Sequence, residues 1–189
     1  MHVQTHILSG WCVGNLLPLT ERQRVMCMIA ASIADLDGLS ILGGQNAYWD
    51  HHHRLCHNLP FGVLACGTMA LFSGKRLFLF AVYLTLFHLH LVMDYFGSGP
   101  GWGIFYLWPF SSWIADNRRV AWEFYSWQNI TVAALLVVWT VVIAVRRGRT
   151  PLEALMPKLD RQLVDWLRRH VPFARGTGAP PVQASPHVN

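Results

Sequence analysis

Side chains that can bind divalent metals, histidine and aspartate, occur in four short patches of this 189-residue chain. An apolar stretch separates each patch from the next. Imidazole and carboxylate ligands without a thiolate are typical of zinc sites, and also of manganese and iron sites. The pattern therefore predicts one metal centre assembled from distant parts of the chain. The patches are His6, the motif Asp35-Leu36-Asp37, the segment 51–58, and the motif His90-Leu91-Val92-Met93-Asp94.

The spacing within two patches supports this interpretation. His90 and Asp94 are four residues apart, which places both on one face of a helix where they can bind one ion. His53 and His57 repeat that spacing, and His52 is an alternative to His53 as the ligand. The competing interpretation of His90 and Asp94 is a buried polar pair that only fixes helix packing.

Three further residues have candidate roles. Asp37 precedes a glycine, as in many helix ends and turns, but carboxylates are also what two neighbouring cations need as a bridge. We expect Asp35 to bridge the ions, and Asp37 to be either a carboxylate behind the metal ligands or a general base. Arg54 is expected to orient the substrate, since guanidinium groups bind phosphate and carboxylate.

The composition indicates contact with lipid. Hydrophobic residues make up 53% of the chain and charged residues 13%, against about 25% charged residues in soluble domains. Nine tryptophans agree, because tryptophan is enriched at membrane interfaces. The net charge of +5 comes largely from basic residues after position 145, which fit a cytoplasmic membrane flank, so no nucleic-acid partner is expected.

The apolar stretches predict an all-α integral membrane bundle with about four to five membrane helices. The longest cover 128–145 and 77–93, and shorter ones cover 6–19, 25–34 and 59–72. If the chain reverses direction at its basic turns, 21–24 and 75–76, all four patches fall at one end of the bundle. The positive-inside rule then places the metal site toward the non-cytoplasmic face.

The rest of the chain is predicted to form a lid and a cytoplasmic tail. Glycine and proline in 95–127 exclude a continuous helix and favour a loop over the metal end. We expect a membrane-embedded domain at 1–149, a basic amphipathic cytoplasmic helix at 150–175 and a disordered tail at 176–189.

The order and spacing of these motifs resemble the YdjM-like membrane-bound metal-dependent hydrolases. The resemblance covers about residues 1–112 and includes Trp108-Pro109-Phe110. More distantly, the order of ligands is similar to that of zinc-dependent phospholipases C and single-strand nucleases. The resemblance implies a bacterial inner-membrane protein whose metal ligands are His6, Asp35, His53, His57, His90 and Asp94.

The expected function is hydrolysis by a metal-activated water, with two or more divalent ions, zinc before manganese or iron. A site at the membrane end favours a membrane lipid as partner and a lipid-linked or phosphodiester substrate. The alternative is a non-enzymatic membrane protein that binds or transports metal. A third interpretation is a structural bundle with incidental histidines.

Overall fold

The computed structural model describes residues 1–171, and its regular elements are helical, which confirms the all-α prediction. Within that range, the β pairing is limited to an isolated bridge between Ile104 and Ala115. The elements are α1 (Val3–Gly14), α2 (Glu21–Ala30), a 3-10 segment (Ile33–Gly43), α3 (Gln45–His51), α4 (Leu59–Leu71), α5 (Arg76–Gly97), α6 (Trp127–Arg147) and α7 (Pro157–His170).

Two of these helices, α5 and α6, are long and apolar enough to cross a membrane. At 22 residues, α5 is about 33 Å long, close to the thickness of the hydrocarbon core. A third candidate span joins α2 to the 3-10 segment with a bend of 51°. The sequence estimate of four to five membrane helices also counted shorter stretches, and within residues 1–171 these are too short to qualify as separate spans.

The buried face of α5 continues into the metal-type residues. Leu79, Tyr83 and Phe87 lie on this face at helical spacing, packed in the apolar core. The next inward positions are His90 and Asp94, each about 1% exposed. The same periodicity that buries the apolar side chains therefore also turns this pair into the protein.

Close helix contacts pack α4 against α5 and α1 against α2. A Cβ atom at Gly62 of α4 would lie 2.5 Å from the ring of Phe87, so only glycine allows this approach. In the same way, a Cβ at Gly10 of α1 would lie 2.4 Å from the carbonyl oxygen of Cys27 in α2. The Asn58 side chain accepts a hydrogen bond from the Phe61 backbone N–H (2.8 Å) and starts α4 directly after the histidine segment.

Two buried asparagines hold the connection from α5 to α6. The Asn117 amide donates to the carbonyl oxygens of Tyr95 and Gly99 (both 3.1 Å) and accepts from the Gly101 backbone N–H (3.0 Å). The Asn129 amide donates to the carbonyl oxygen of Gly97 (2.8 Å). These bonds satisfy backbone groups that no helix or sheet pairs, and they order the glycine-rich loop without regular structure.

The chain divides into two compact units, Met1–Leu136 and a second unit that begins at Val137. In the second unit, the Thr150 backbone N–H and hydroxyl both donate to one carboxylate oxygen of Asp160 (2.6 Å each). Helix α7 lies within the segment 150–175 and begins at Pro157, a residue that is favoured in the first turn of a helix. The tail predicted at 176–189 lies outside the described residues.

Candidate metal centre

The six metal ligands expected from the sequence come together in the first unit. His6 lies on α1, Asp35 on the 3-10 segment, His53 and His57 in the connection to α4, and His90 and Asp94 on α5. The side chains of the four histidines and Asp94 are at most 2% exposed, and that of Asp35 is 15% exposed. Such complete burial of polar groups requires that their electrostatic needs be met locally.

Asp94 is at the centre of this cluster. Its Oδ1 lies 3.1 Å from His6 Nε2, and its Oδ2 lies 3.1 Å from His90 Nε2 and 3.2 Å from His57 Nε2. His53 Nε2 is 3.7 Å from the same Oδ2. The α-amino group of Met1 also contacts Oδ1. Four imidazoles from three separate chain segments thus present the same ring nitrogen to one carboxylate.

The opposite nitrogen of three of these imidazoles has an acceptor. His53 Nδ1 lies 3.1 Å from the carbonyl oxygen of Trp102, and His90 Nδ1 lies 2.8 Å from that of Ala31. His57 Nδ1 lies 2.9 Å from Asp37 Oδ2. Carbonyl and carboxylate oxygens only accept, so each Nδ1 carries the hydrogen and donates it. A neutral imidazole in that state directs a lone pair from Nε2.

The inward-facing lone pairs would repel one another without positive charge between them. The Nε2 atoms of His57 and His90 are 3.1 Å apart, and both face Asp94 Oδ2. This arrangement is favourable only if a proton or a metal cation lies among these atoms. Imidazoles fixed by a hydrogen bond from the opposite nitrogen are typical of metal ligands.

The pKa values of His53 and His57, in the connection from α3 to α4, also fit a positive charge at this site. Burial and the neighbouring His57 hold the pKa of His53 well below its ordinary value, so that imidazole is neutral. Burial also acts to lower the pKa of His57, but hydrogen bonds to Asp37 and Asp94 outweigh it and raise the pKa to about 9. The protein therefore favours positive charge between His57 and Asp94.

Within residues 1–171, three groups of side chains could hold a metal ion, each with ligand atoms within 4.8 Å of one another. Asp94 belongs to two of them, whereas Asp35, the bridge expected from the sequence, belongs to one. Two buried atoms at the site, His6 Nδ1 and Asp35 Oδ2, have no hydrogen-bond partner in the structure, as expected of polar atoms shaped for a ligand. The groups are His6, Asp35, His90 and Asp94; His53, His57 and Asp94; and Asp37, His52 and His57.

Asp37 supports the ligands from behind. Its Oδ1 accepts from His52 Nδ1 (2.7 Å), and its Oδ2 accepts from His57 Nδ1 and from the Cys56 backbone N–H (3.1 Å). The carboxylate is fully buried, and it does not line the cavity beside the cluster. Of the two roles expected for Asp37, this position favours the carboxylate behind the ligands over the general base.

The adjacent histidines, His52 and His53, occupy different positions. His53 has a φ of 65°, a left-handed conformation that costs a non-glycine residue about 1–3 kcal/mol. That backbone turns the His53 ring toward Asp94, whereas the His52 ring bonds to Asp37 and stacks on Tyr48 with centroids 4.6 Å apart. The geometry therefore favours His53 as the ligand that meets Asp94.

The Arg54 side chain lies against the Phe105 ring and away from the cavity beside the ligands. Its guanidinium carbon is 4.9 Å from the centre of the Phe105 ring, and it is not among the residues that line the cavity. The expected role in orienting the substrate has no support from this position. The stack of Arg54 on Phe105 instead packs the histidine segment against the loop.

A cavity of about 550 Å³ opens beside the cluster. No lysine or arginine of the described chain lines it. The sequence predicted an aromatic-rich loop over this end, and the loop contributes Trp102 and Phe124 to the cavity wall. It did not predict the contribution of Tyr48 from α3. The polar lining includes Asp35, His52, His53, Asp94 and Ser98, and the apolar lining includes Val3, Leu39, Tyr48, Trp102 and Phe124.

A known protein family covers most of the chain. The model of the YdjM inner membrane protein family matches residues 1–158. The chain belongs to this family. The match contains all six candidate ligands and both long apolar helices, and it extends past the segment 1–112 on which the resemblance was first based. No curated protein and no solved structure matches the chain.

Membership of the YdjM family and the two long apolar helices make this a membrane protein. The buried histidine and aspartate groups of this YdjM-family chain could hold a metal ion. Their donor set contains imidazole and carboxylate, with no sulfur among the three groups, so the chemistry fits zinc, manganese or iron.

Proposed function

We propose that this protein is a membrane-bound metal-dependent hydrolase. The observation that supports the proposal is the convergence of four imidazole Nε2 atoms on Asp94, three of them with Nδ1 already committed to an acceptor. A structural bundle with incidental histidines gains nothing from inward-facing lone pairs. A metal site does, because Nε2 is then the ligand atom.

Two divalent ions, zinc first, fit the cluster best. His6, Asp35 and His90 would hold one, His53 and His57 the other, and Asp94 would contribute to both. When bound, such ions make water acidic near neutral pH and stabilise negative charge on an oxygen, which is the chemistry of ester and phosphodiester hydrolysis. The protein orients these imidazoles through hydrogen bonds to Asp37 and to the carbonyl oxygens of Trp102 and Ala31.

The substrate we propose is a lipid or lipid-linked ester or phosphodiester. The cavity beside the metal ligands has apolar and aromatic walls and no lysine or arginine, which suits an apolar molecule with one reactive group better than a polyanion. The basic turns of the first unit lie at the ends of α2 and α5 that are remote from Asp35 and Asp94. By the positive-inside rule, the site faces the non-cytoplasmic side.

The first test is elemental analysis of the detergent-purified protein. We expect near-stoichiometric zinc, manganese or iron in the wild type and loss of that metal in His53→Ala and Asp94→Ala. His88→Ala is the matched control, because His88 is also on α5 but bonds to the Leu84 carbonyl oxygen and the Tyr106 hydroxyl. Absence of metal from the wild type after supplementation would refute the proposal.

Activity is the second test. The metal-loaded protein is incubated with a panel of phosphodiester, ester and amide lipids, and hydrolysis is expected for one class and is expected to disappear in Asp94→Ala. Metal uptake into proteoliposomes without hydrolysis of any member of the panel would favour the transport alternative.

A further inference from the structure

The 3-10 segment carries a stripe of exposed leucines. Leu36, Leu39 and Leu42 are 49%, 60% and 86% exposed. A 3-10 helix has three residues per turn, so side chains three apart lie one above the other on a single face. Ala34 and Asp37, which are three residues apart on a neighbouring face of the segment, are buried. We call Leu36, Leu39 and Leu42 the leucine stripe.

The leucine stripe leads directly to the metal centre. Asp35, a candidate ligand, immediately precedes its first residue, and Asp35 and Leu39 both line the cavity. From Leu36 to Leu42 the stripe is about 12 Å long at the rise of a 3-10 helix. A chain lying along it would therefore have one end beside the metal ligands and the other at the exposed end of the segment.

Two observations indicate what covers the stripe. Together with α2, the 3-10 segment has the length and hydropathy of a bent membrane span or of a re-entrant loop, and either of these would bring the stripe into contact with lipid. Next to it on α3, Trp49 is 56% exposed and stacks on Trp102 with ring centroids 4.4 Å apart. Exposed tryptophans are characteristic of membrane interfaces, and an exposed apolar stripe of this kind is unfavourable in water.

We propose that the apolar chain of the substrate reaches the metal centre from the bilayer along the leucine stripe, so that the protein acts on a lipid while it is held in the membrane. This inference rests on the proposed hydrolase function. It adds the route and the physical state of the substrate: the reactive group turns into the cavity at Asp35 and Leu39, and the chain stays in contact with surrounding lipid.

The first experiment measures the environment of the stripe without any activity. Leu42→Cys is labelled with a fluorophore in phosphatidylcholine–phosphatidylglycerol vesicles, with the unsubstituted protein as background for its native cysteines. Arg118→Cys, at a loop residue whose side chain is 76% exposed, is the control for water. We expect quenching of the Leu42 label by nitroxide-labelled lipid, and quenching of the Arg118 label by aqueous iodide.

Two results would overturn the proposal. Quenching of the Leu42 label by iodide to the same degree as the Arg118 label would place the stripe in water. Protection from both quenchers would mean that another protein surface, such as a second copy of this chain, covers it.

The second experiment compares two substrates with the metal-loaded protein. We expect Leu36→Gln/Leu42→Gln, at two stripe residues that do not line the cavity, to lower turnover of a fluorescent phospholipid in vesicles at least about tenfold, because the contact of the apolar chain with two leucines is lost. Its metal content and its turnover of soluble bis(p-nitrophenyl) phosphate are expected to stay at the wild-type level. Phe72→Gln, at an 87% exposed apolar residue after α4, is the matched control and is expected to leave both activities unchanged.

The outcomes separate this inference from the proposed function. Equal loss of both activities in the double variant would assign the stripe to folding and overturn the route. If the wild-type protein hydrolyses neither substrate, the hydrolase proposal and the substrate route fail together, while lipid quenching at Leu42 would still assign the stripe to the bilayer.

Discussion

Substitution of Asp37 tests directly whether hydrogen bonds to this carboxylate orient the histidines for metal binding. The carboxylate accepts three hydrogen bonds, from His52, His57 and the Cys56 backbone. In Asp37→Ala all three donors lose their acceptor, and the His57 ring is free to rotate or to move its hydrogen to Nε2. Loss of such a supporting carboxylate lowers metal affinity about 10–100-fold, which is about 1.4–2.8 kcal/mol of binding free energy.

Asp37→Asn is expected to have a smaller effect than Asp37→Ala. The amide oxygen can take the place of Oδ2 and accept from His57 and Cys56, while the amide nitrogen faces His52. His52 can then accept through Nδ1 and carry its hydrogen on Nε2. Since His52 is not the histidine turned toward Asp94, this change leaves the bond that orients His57 intact.

The assay is competition for zinc between the detergent-purified protein and a chelating dye, with circular dichroism and thermal unfolding to confirm that each variant is folded. Asp50→Ala, at the exposed end of α3, is the matched control and is expected to bind zinc as the wild type does. Wild-type affinity in folded Asp37→Ala would refute the reasoning, because the hydrogen bond to His57 would then not prepare the ligand. Equal losses in Asp37→Asn and Asp37→Ala would show that charge, rather than hydrogen bonding, carries the effect.

Two further predictions concern the scaffold. Gly62→Ala is expected to destabilise the protein by about 1–3 kcal/mol, because its Cβ would lie 2.5 Å from the Phe87 ring. Gly67→Ala, whose Cβ would meet its nearest neighbour at 3.9 Å, is the control. Equal melting temperatures of the two variants would contradict the close approach of α4 to α5. Asn117→Ala removes three hydrogen bonds from the loop and is expected to increase proteolysis of 98–126. It is also expected to weaken metal binding, because the Trp102 carbonyl oxygen that orients His53 lies in this loop. Unchanged proteolysis and metal affinity would show that Asn117 does not hold the loop.

Much of the candidate site could be predicted because its signals are local. The spacing of four between His90 and Asp94 follows from the geometry of a helix, and the apolar periodicity of α5 turns that pair inward. The glycine and proline content of the loop excluded a helix there. The lengths of α5 and α6 agree with membrane spans.

Other features depend on atoms that carry no signal in the sequence. The acceptors for His53 and His90 are the backbone carbonyl oxygens of Trp102 and Ala31, and any residue type would supply the same atom. The stack of Arg54 on Phe105 depends on a loop whose path is set by Asn117. These features arise from long-range packing, which spacing along the chain does not encode.

By itself, the sequence determined that this is a helical membrane protein with candidate histidine and aspartate ligands at recurring helical spacing, because periodicity and hydropathy act over a few residues. Only the tertiary structure decided that Asp94, rather than Asp35, is shared between two ligand groups, and that His53 turns toward it while His52 turns to Asp37. The first depends on how α5 lies relative to α1, the 3-10 segment and the histidine segment before α4. The second depends on the left-handed backbone of one residue, held there by its surroundings.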